Sequence, residues 1–147
     1  MARLMPGGSC AGIDELPETA RGILEAARRA FLSTVAADGQ PHTVPVCFAL
    51  RDGAVVTAVD HKPKRGGELA RITNIKGHPQ AALAVDRWDE DWRRLGWVML
   101  QGEAAVEGPG SADAELAARY PQYRDRPPEG VVISLQPKRI IYWTWTP

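Results

Sequence analysis

After Pro17, the apolar residues Ala20, Ile23, Leu24, Ala27 and Phe31 recur at helical spacing, while Arg21, Glu25, Arg28 and Arg29 occupy the positions between them. This pattern predicts an amphipathic helix laid against a larger body. The period then changes. Residues 31–37 (FLSTVAA), 43–50 (TVPVCFAL) and 54–59 (AVVTAV) are apolar or β-branched runs separated by Asp38-Gly39 and Asp52-Gly53. Asp-Gly steps between such runs favour tight turns, so a three-stranded meander is predicted. Pro41 and Pro45 cannot donate to a ladder, which places them on an edge, at a bulge or on a ligand-facing side. A second helix is predicted over 67–76, with Leu69, Ile72 and Ile75 on one stripe and a stop at Gly77 and Pro79. Residues 80–85 and 97–106 read as two more strands around a polar loop, DRWDEDWRRLG. Ser111 opens a short helix that Pro121 ends, and residues 131–135 and 140–145 form a last β segment interrupted at Pro137.

Strands joined mostly by hairpins, with helices inserted at intervals, predict a mainly β protein with helices (α+β). A small antiparallel closed or split β-barrel fits best, because a parallel sheet would need a crossover after nearly every strand. Residues 1–16 contain Gly7, Gly8, Ser9 and Gly12 and are expected to be a flexible leader, with 17–147 forming one domain. At 147 residues, such a domain buries roughly 70% of its unfolded surface, so a core forms without disulfides or metals.

Charge narrows the function. Eighteen basic residues balance eighteen acidic ones, which argues against a general nucleic-acid binder. No apolar run approaches the ~20 residues of a membrane span, and the first residues lack the apolar core of a secretory signal. Cys10 and Cys47 are expected to be unpaired thiols in a reducing cytoplasm. Cys47 has no adjacent base and reads as structural rather than nucleophilic. His42, His61 and His78 have no metal-ligand spacing, and Asp86, Asp89, Glu90 and Asp91 lack the pattern of a calcium loop and have Arg87, Arg93 and Arg94 to pair with. No metal is expected. Glycine-rich nucleotide loops and the G-x-S-x-G elbow are absent from the sequence.

The stretch TAVDHKPKR carries the most chemistry. It leaves a strand, crosses Pro63 and enters a helix whose first-turn amides are free, with Lys62, Lys64 and Arg65 offset only by Asp60. Cations beside a helix N-terminus suit a phosphate, because donors and charge act on the same group. A solvated basic loop is the plain alternative. Five tryptophans serve packing, or cover a flat ring such as a flavin.

The combination DGQPHTVPVCF, TAVDHKPKR and DRWDEDW, followed by AARYPQYRDRPP, resembles the FMN-binding split-barrel superfamily over about residues 20–141. More narrowly it resembles the actinobacterial group of pyridoxamine 5'-phosphate oxidase-like, coenzyme F420-dependent enzymes. The resemblance implies a homodimer with two cofactor sites at the subunit interface. It places Lys62, Lys64 and Arg65 on the phosphate, Thr57 and Ala58 at the strand end, and His42, Val44, Pro45 and Val46 along the ring. Trp97 is then a side wall for the neighbouring subunit's cofactor. Members bind F420, FMN or, in some branches, haem. The implied activity is hydride transfer between the deazaflavin and a small unsaturated or electrophilic substrate, with the coenzyme carrying the chemistry. No catalytic side chain is named, although His42 is a candidate proton donor to the reduced substrate. The alternatives are an FMN-linked oxidase or reductase and a non-catalytic F420, FMN or haem carrier. No nucleic acid or membrane is implied.

Overall fold

The computed structural model describes residues 7–60 and 67–145. Eight strands form one antiparallel sheet: β1 (Gly7–Cys10), β2 (Ala30–Val35), β3 (Pro41–Val46), β4 (Ala49–Arg51), β5 (Ala54–Ala58), β6 (Gln80–Arg87), β7 (Gly96–Glu107) and β8 (Val132–Thr144). They lie in the order β3-β2-β6-β7-β8-β5-β4, with β1 added beside β8. Helices α1 (Glu18–Ala26), α2 (Ala70–Gly77), α3 (Asp113–Arg119) and α4 (Pro121–Asp125) cover it. This is the curled antiparallel sheet of an α+β split barrel, as the hairpin-rich pattern predicts.

Alternation along the strands sends one set of side chains inward. Leu32, Leu83, Val98, Leu100, Leu135 and Ile140 meet Ile23 and Leu24 of α1 and Ile72 and Ile75 of α2 in the main core. Each such side chain, fully buried, contributes about 1.5–3 kcal/mol relative to exposure. A smaller core joins Val56 and Val132 to Leu116, Tyr120 and Tyr123 of α3 and α4. Strand β5 therefore has two apolar faces, with Val55 in the main core and Val56 in the smaller one.

Five expectations need correction. The meander does not form, because the run 43–50 breaks at Cys47-Phe48 and β3 and β4 end on opposite edges of the sheet. The break is hidden in the sequence because Phe48 is fully buried, and its amide donates to the Tyr120 hydroxyl (3.0 Å) instead of to a strand. The stretch expected as a flexible leader departs from that reading in its second part. Gly7–Cys10 pairs with β8, placing Cys10 in a strand opposite Ile140, and Ile13 and Leu16 are buried. The last β segment is one strand, not two. Lys138 falls at a bulge opposite Gln101 and Gly102, which absorbs Pro137 without ending the ladder. Finally, Phe31 belongs to β2 and points out of the core, and Pro121 ends α3 but also opens α4.

Candidate functional site

Among the described residues strand β3 pairs only with β2 and is an edge, which is where Pro41 and Pro45 cost no ladder bond on the free side. Its C-terminal end meets that of β5. There Pro45, Val46 and Ala58, joined by Arg29, Cys47, Asp60 and Arg71, line a cleft of about 300 Å³. The lower wall is held firmly: Gly130 N–H donates to Val59 O (2.9 Å), Val59 N–H to Val131 O (2.9 Å) and Glu129 N–H to Asp60 O (3.2 Å). Gly130 is needed for this approach, since a Cβ there would stand 2.6 Å from Val59 O. Beyond Asp60 the chain enters the segment carrying Lys62, Lys64 and Arg65, which lies outside the described residues. It resumes at Gly67 with φ +84°. The N-cap of α2, Leu69, offers no side-chain acceptor to the first-turn amides.

Charge in the cleft is unbalanced. Arg29 and Arg71 face a single carboxylate, Asp60. Asp60 already accepts a hydrogen bond from the Tyr123 hydroxyl; burial first, and the carboxylate second, push that phenol far above its ordinary value. Desolvation holds the half-buried Arg71 below its ordinary value, and Asp60 opposes this only partly. The Arg29 guanidinium lies 5.1 Å from the centre of the Phe31 ring. Cys47 and Asp60 also border a neighbouring hollow of about 410 Å³, walled by Tyr120, Tyr123 and the segment 125–128.

Of the residues expected to hold a cofactor, Pro45, Val46 and Ala58 are brought together. Thr57 is buried, on the face of β5 opposite to Ala58. His42 and Val44 lie on the same side of β3 as Val46; Val44 packs on the main core. His42 stands opposite Thr34, and its buried Nδ1 has no partner among the described residues. Trp97 is elsewhere, on the outer face of β7 beside Trp143 of β8. Arg29, Arg71 and Tyr123 were not singled out from sequence. The available signal for Arg71 was its place in the first turn of α2, just after the basic segment.

The outer sheet face forms cross-strand rows. One runs Pro45, Phe31, Ala84, Met99, Ile141, and the next carries Asp86, Trp97, Trp143. Phe31 is 38% and Trp97 36% exposed in the single chain. A hollow of about 450 Å³ crosses the same face between Ser33, Ala82, Gln101 and Arg139. In the loop between β6 and β7, Arg93 pairs with Asp91 (2.8 Å) and Arg94 with Asp89 (3.1 Å). Trp88 and Trp92 project from that loop, 66% and 63% exposed, so neither is core.

The profile of the family described as pyridoxamine 5'-phosphate oxidase matches residues 16–144. No curated protein matches the chain. Among solved structures, a conserved hypothetical protein of Mycobacterium tuberculosis, Rv2991, superposes with TM-score 0.69 at 19% identity, covering 88% of this chain and 85% of the other. An FAD-binding protein of Mesorhizobium loti gives TM-score 0.63 at 17% identity over 94% and 97% of the two chains. A haem-binding protein of Mycobacterium smegmatis gives 0.67 at 22% identity over 87% of this chain and 53% of that longer one. At these identities the likeness is one of fold.

Proposed function

The chain belongs to the pyridoxamine 5'-phosphate oxidase family, and from that premise we propose that it is a coenzyme F420-dependent oxidoreductase with its cofactor held at the interface of a homodimer. The observation that carries this reading is the cleft where β3 and β5 end. It offers an apolar surface (Pro45, Val46, Ala58) to a flat ring and two guanidiniums to an anionic tail, and at Asp60 the chain runs directly into Lys62, Lys64 and Arg65. Those residue types fit a ring-plus-phosphate cofactor.

When bound, the deazaflavin supplies the carbon that gives or takes a hydride. The chain's own residues bind and orient. Pro45 and Val46 exclude water from one side of the ring. The cations fix the tail, so that the ring is presented to a small unsaturated or electrophilic substrate in one orientation. We assign no essential acid or base.

The homodimer is supported by the outer sheet face, whose row Phe31, Ala84, Met99, Ile141 is apolar and would be covered by its counterpart in a second copy. Trp97 on that face is then a wall for the partner's cofactor. A cytoplasmic setting belongs to the same proposal, supported by the two unpaired cysteines; among the described residues no helix is long and apolar enough to cross a membrane. The alternative cofactor is FMN, in an oxidase or reductase, and its support is the family itself. Haem-binding and haem-storage proteins of the same fold keep a non-catalytic carrier as the reading from another class.

Titrating the protein with oxidised F420 and with FMN, followed by tryptophan quenching, tests the order. F420 is expected to bind with micromolar or tighter affinity and FMN more weakly. Tight FMN binding without detectable F420 binding would exchange the two, and tight binding without turnover of reduced cofactor would favour the carrier.

A further inference from the structure

Resting on the cofactor reading above for what the cleft holds, we infer that Tyr120 is a positioning residue for that cleft. Its hydroxyl is spliced into the backbone ladder between β2 and β3 and fixes Arg29 and Cys47 on the cleft wall. The last regular pair of the two strands is Ala30 with Val46. Continuing the same register places Arg29 opposite Cys47, and Arg28 opposite Phe48. Arg29 and Cys47 both line the cleft. At the next step the Phe48 N–H and the Arg28 O do not bond each other. Both bond the Tyr120 hydroxyl instead, each at 3.0 Å. A hydroxyl can stand there because it accepts and donates at one atom. It replaces one ladder bond and holds the two chains further apart than direct pairing would.

Tyr120 reaches this point as part of a larger clasp. Its ring is buried, has the Arg28 guanidinium 4.6 Å from its centre and meets Tyr123 edge to face at 5.6 Å. One residue earlier, the Arg119 side chain donates to Ala27 O and lies 4.5 Å from the centre of the Phe48 ring. Arg28 returns a hydrogen bond to Arg119 O (2.7 Å). The end of α3 therefore grips residues 27–28, before β2, together with Phe48, after β3. Arg29 and Cys47 lie just inside these two anchor points and outside the regular strands, so the clasp sets where they stand. Cys47 also borders the hollow walled by Tyr120. The same hydroxyl thus fixes the partition between that hollow and the cleft.

The test compares the full chain with Tyr120→Phe, which keeps the ring and removes the bridging atom, and with Leu116→Val, which thins the same small core and leaves the bridge intact. Affinities for F420, FMN and riboflavin are measured well below every melting transition. The alkylation rate of Cys47, resolved from Cys10 by peptide mass, is measured without any cofactor. Tyr120→Phe is expected to weaken all three ligands alike, by roughly three- to tenfold, because the wall is released and no charge is lost. Cys47 should react at least about threefold faster in that variant, through local opening of the wall. Leu116→Val should lower the melting temperature and leave affinities and Cys47 rate within about twofold of the parent. Losses in Leu116→Val equal to those in Tyr120→Phe would make the effect one of core stability and overturn the positioning role. Unchanged affinities in Tyr120→Phe, or a Cys47 rate that does not rise, overturn it too and leave the cofactor reading in place. A parent that binds none of the three ligands removes the cofactor reading, and the Cys47 rates then decide alone whether the hydroxyl sets the wall.

Discussion

Tyr120 shows how much one side chain can hold. Its hydroxyl accepts from Phe48 N–H and donates to Arg28 O, both at 3.0 Å, inside the smaller core. Replacing it with Phe strands a buried donor and an acceptor, so a loss of about 1–3 kcal/mol is expected in urea unfolding. Glu107 gives a pH-dependent counterpart. The Arg51 guanidinium, hydrogen-bonded to both its oxygens (2.9 and 2.7 Å), holds the carboxyl below the usual glutamate range. A folded-state value below the unfolded one adds stability that is present above the unfolded value and lost as pH falls through the folded one. Glu107→Gln should therefore destabilise the protein by ~1 kcal/mol at neutral pH. Below the ordinary glutamate range the two proteins should converge; a gap that persists undiminished into strong acid would mean that packing, not the ion pair, sets the difference.

The pairing of β7 with β8 depends on a single glycine. Gly102 sits at the register shift, where a Cβ would be 1.9 Å from Gln136 O, and backbone on the far side cannot rotate out of the way. Gly102→Ala should cost at least about 2–3 kcal/mol by forcing the long ladder apart, read as a lower melting temperature. Gly39, with φ +87° but nothing within 4 Å of its would-be Cβ, isolates the backbone effect: Gly39→Ala should cost about 1 kcal/mol. Comparable small losses at both positions would show that the bulge relaxes around the added methyl.

For the proposed homodimer, the outer face is the deciding surface. Met99 and Ile141 are adjacent in its apolar row, so a carboxylate placed there would be buried without a partner in a homodimer. Met99→Glu is expected to shift the species in light scattering from twice the chain mass of 16.0 kDa to the chain mass itself, and to weaken cofactor binding if Trp97 completes the neighbour's site. A parent protein that is already monomeric and binds cofactor at full affinity would remove the shared site.

Short-range chemistry was legible in the chain. The stripe Ala20, Ile23, Leu24, the Asp-Gly turns, the edge prolines and the strands over 80–85 and 97–106 all depend on neighbours a few positions apart, and they appear in the structure within a few residues of expectation. The family motifs likewise pointed to Pro45, Val46 and Ala58, which the fold brings into one cleft. Partners far along the chain were not legible. Cys47-Phe48 looks like the middle of a strand until Tyr120, 72 positions away, takes the Phe48 amide. Glycines near the start look like a leader until β8 offers its edge to Gly7–Cys10. Arg71 reads as an ordinary polar position on a helix; only folding half-buries it and brings it into one cleft with Arg29 and Asp60. Periodicity records which side of an element faces inward, because that is a local property of backbone geometry, whereas desolvation and charge pairing depend on which distant segments arrive there.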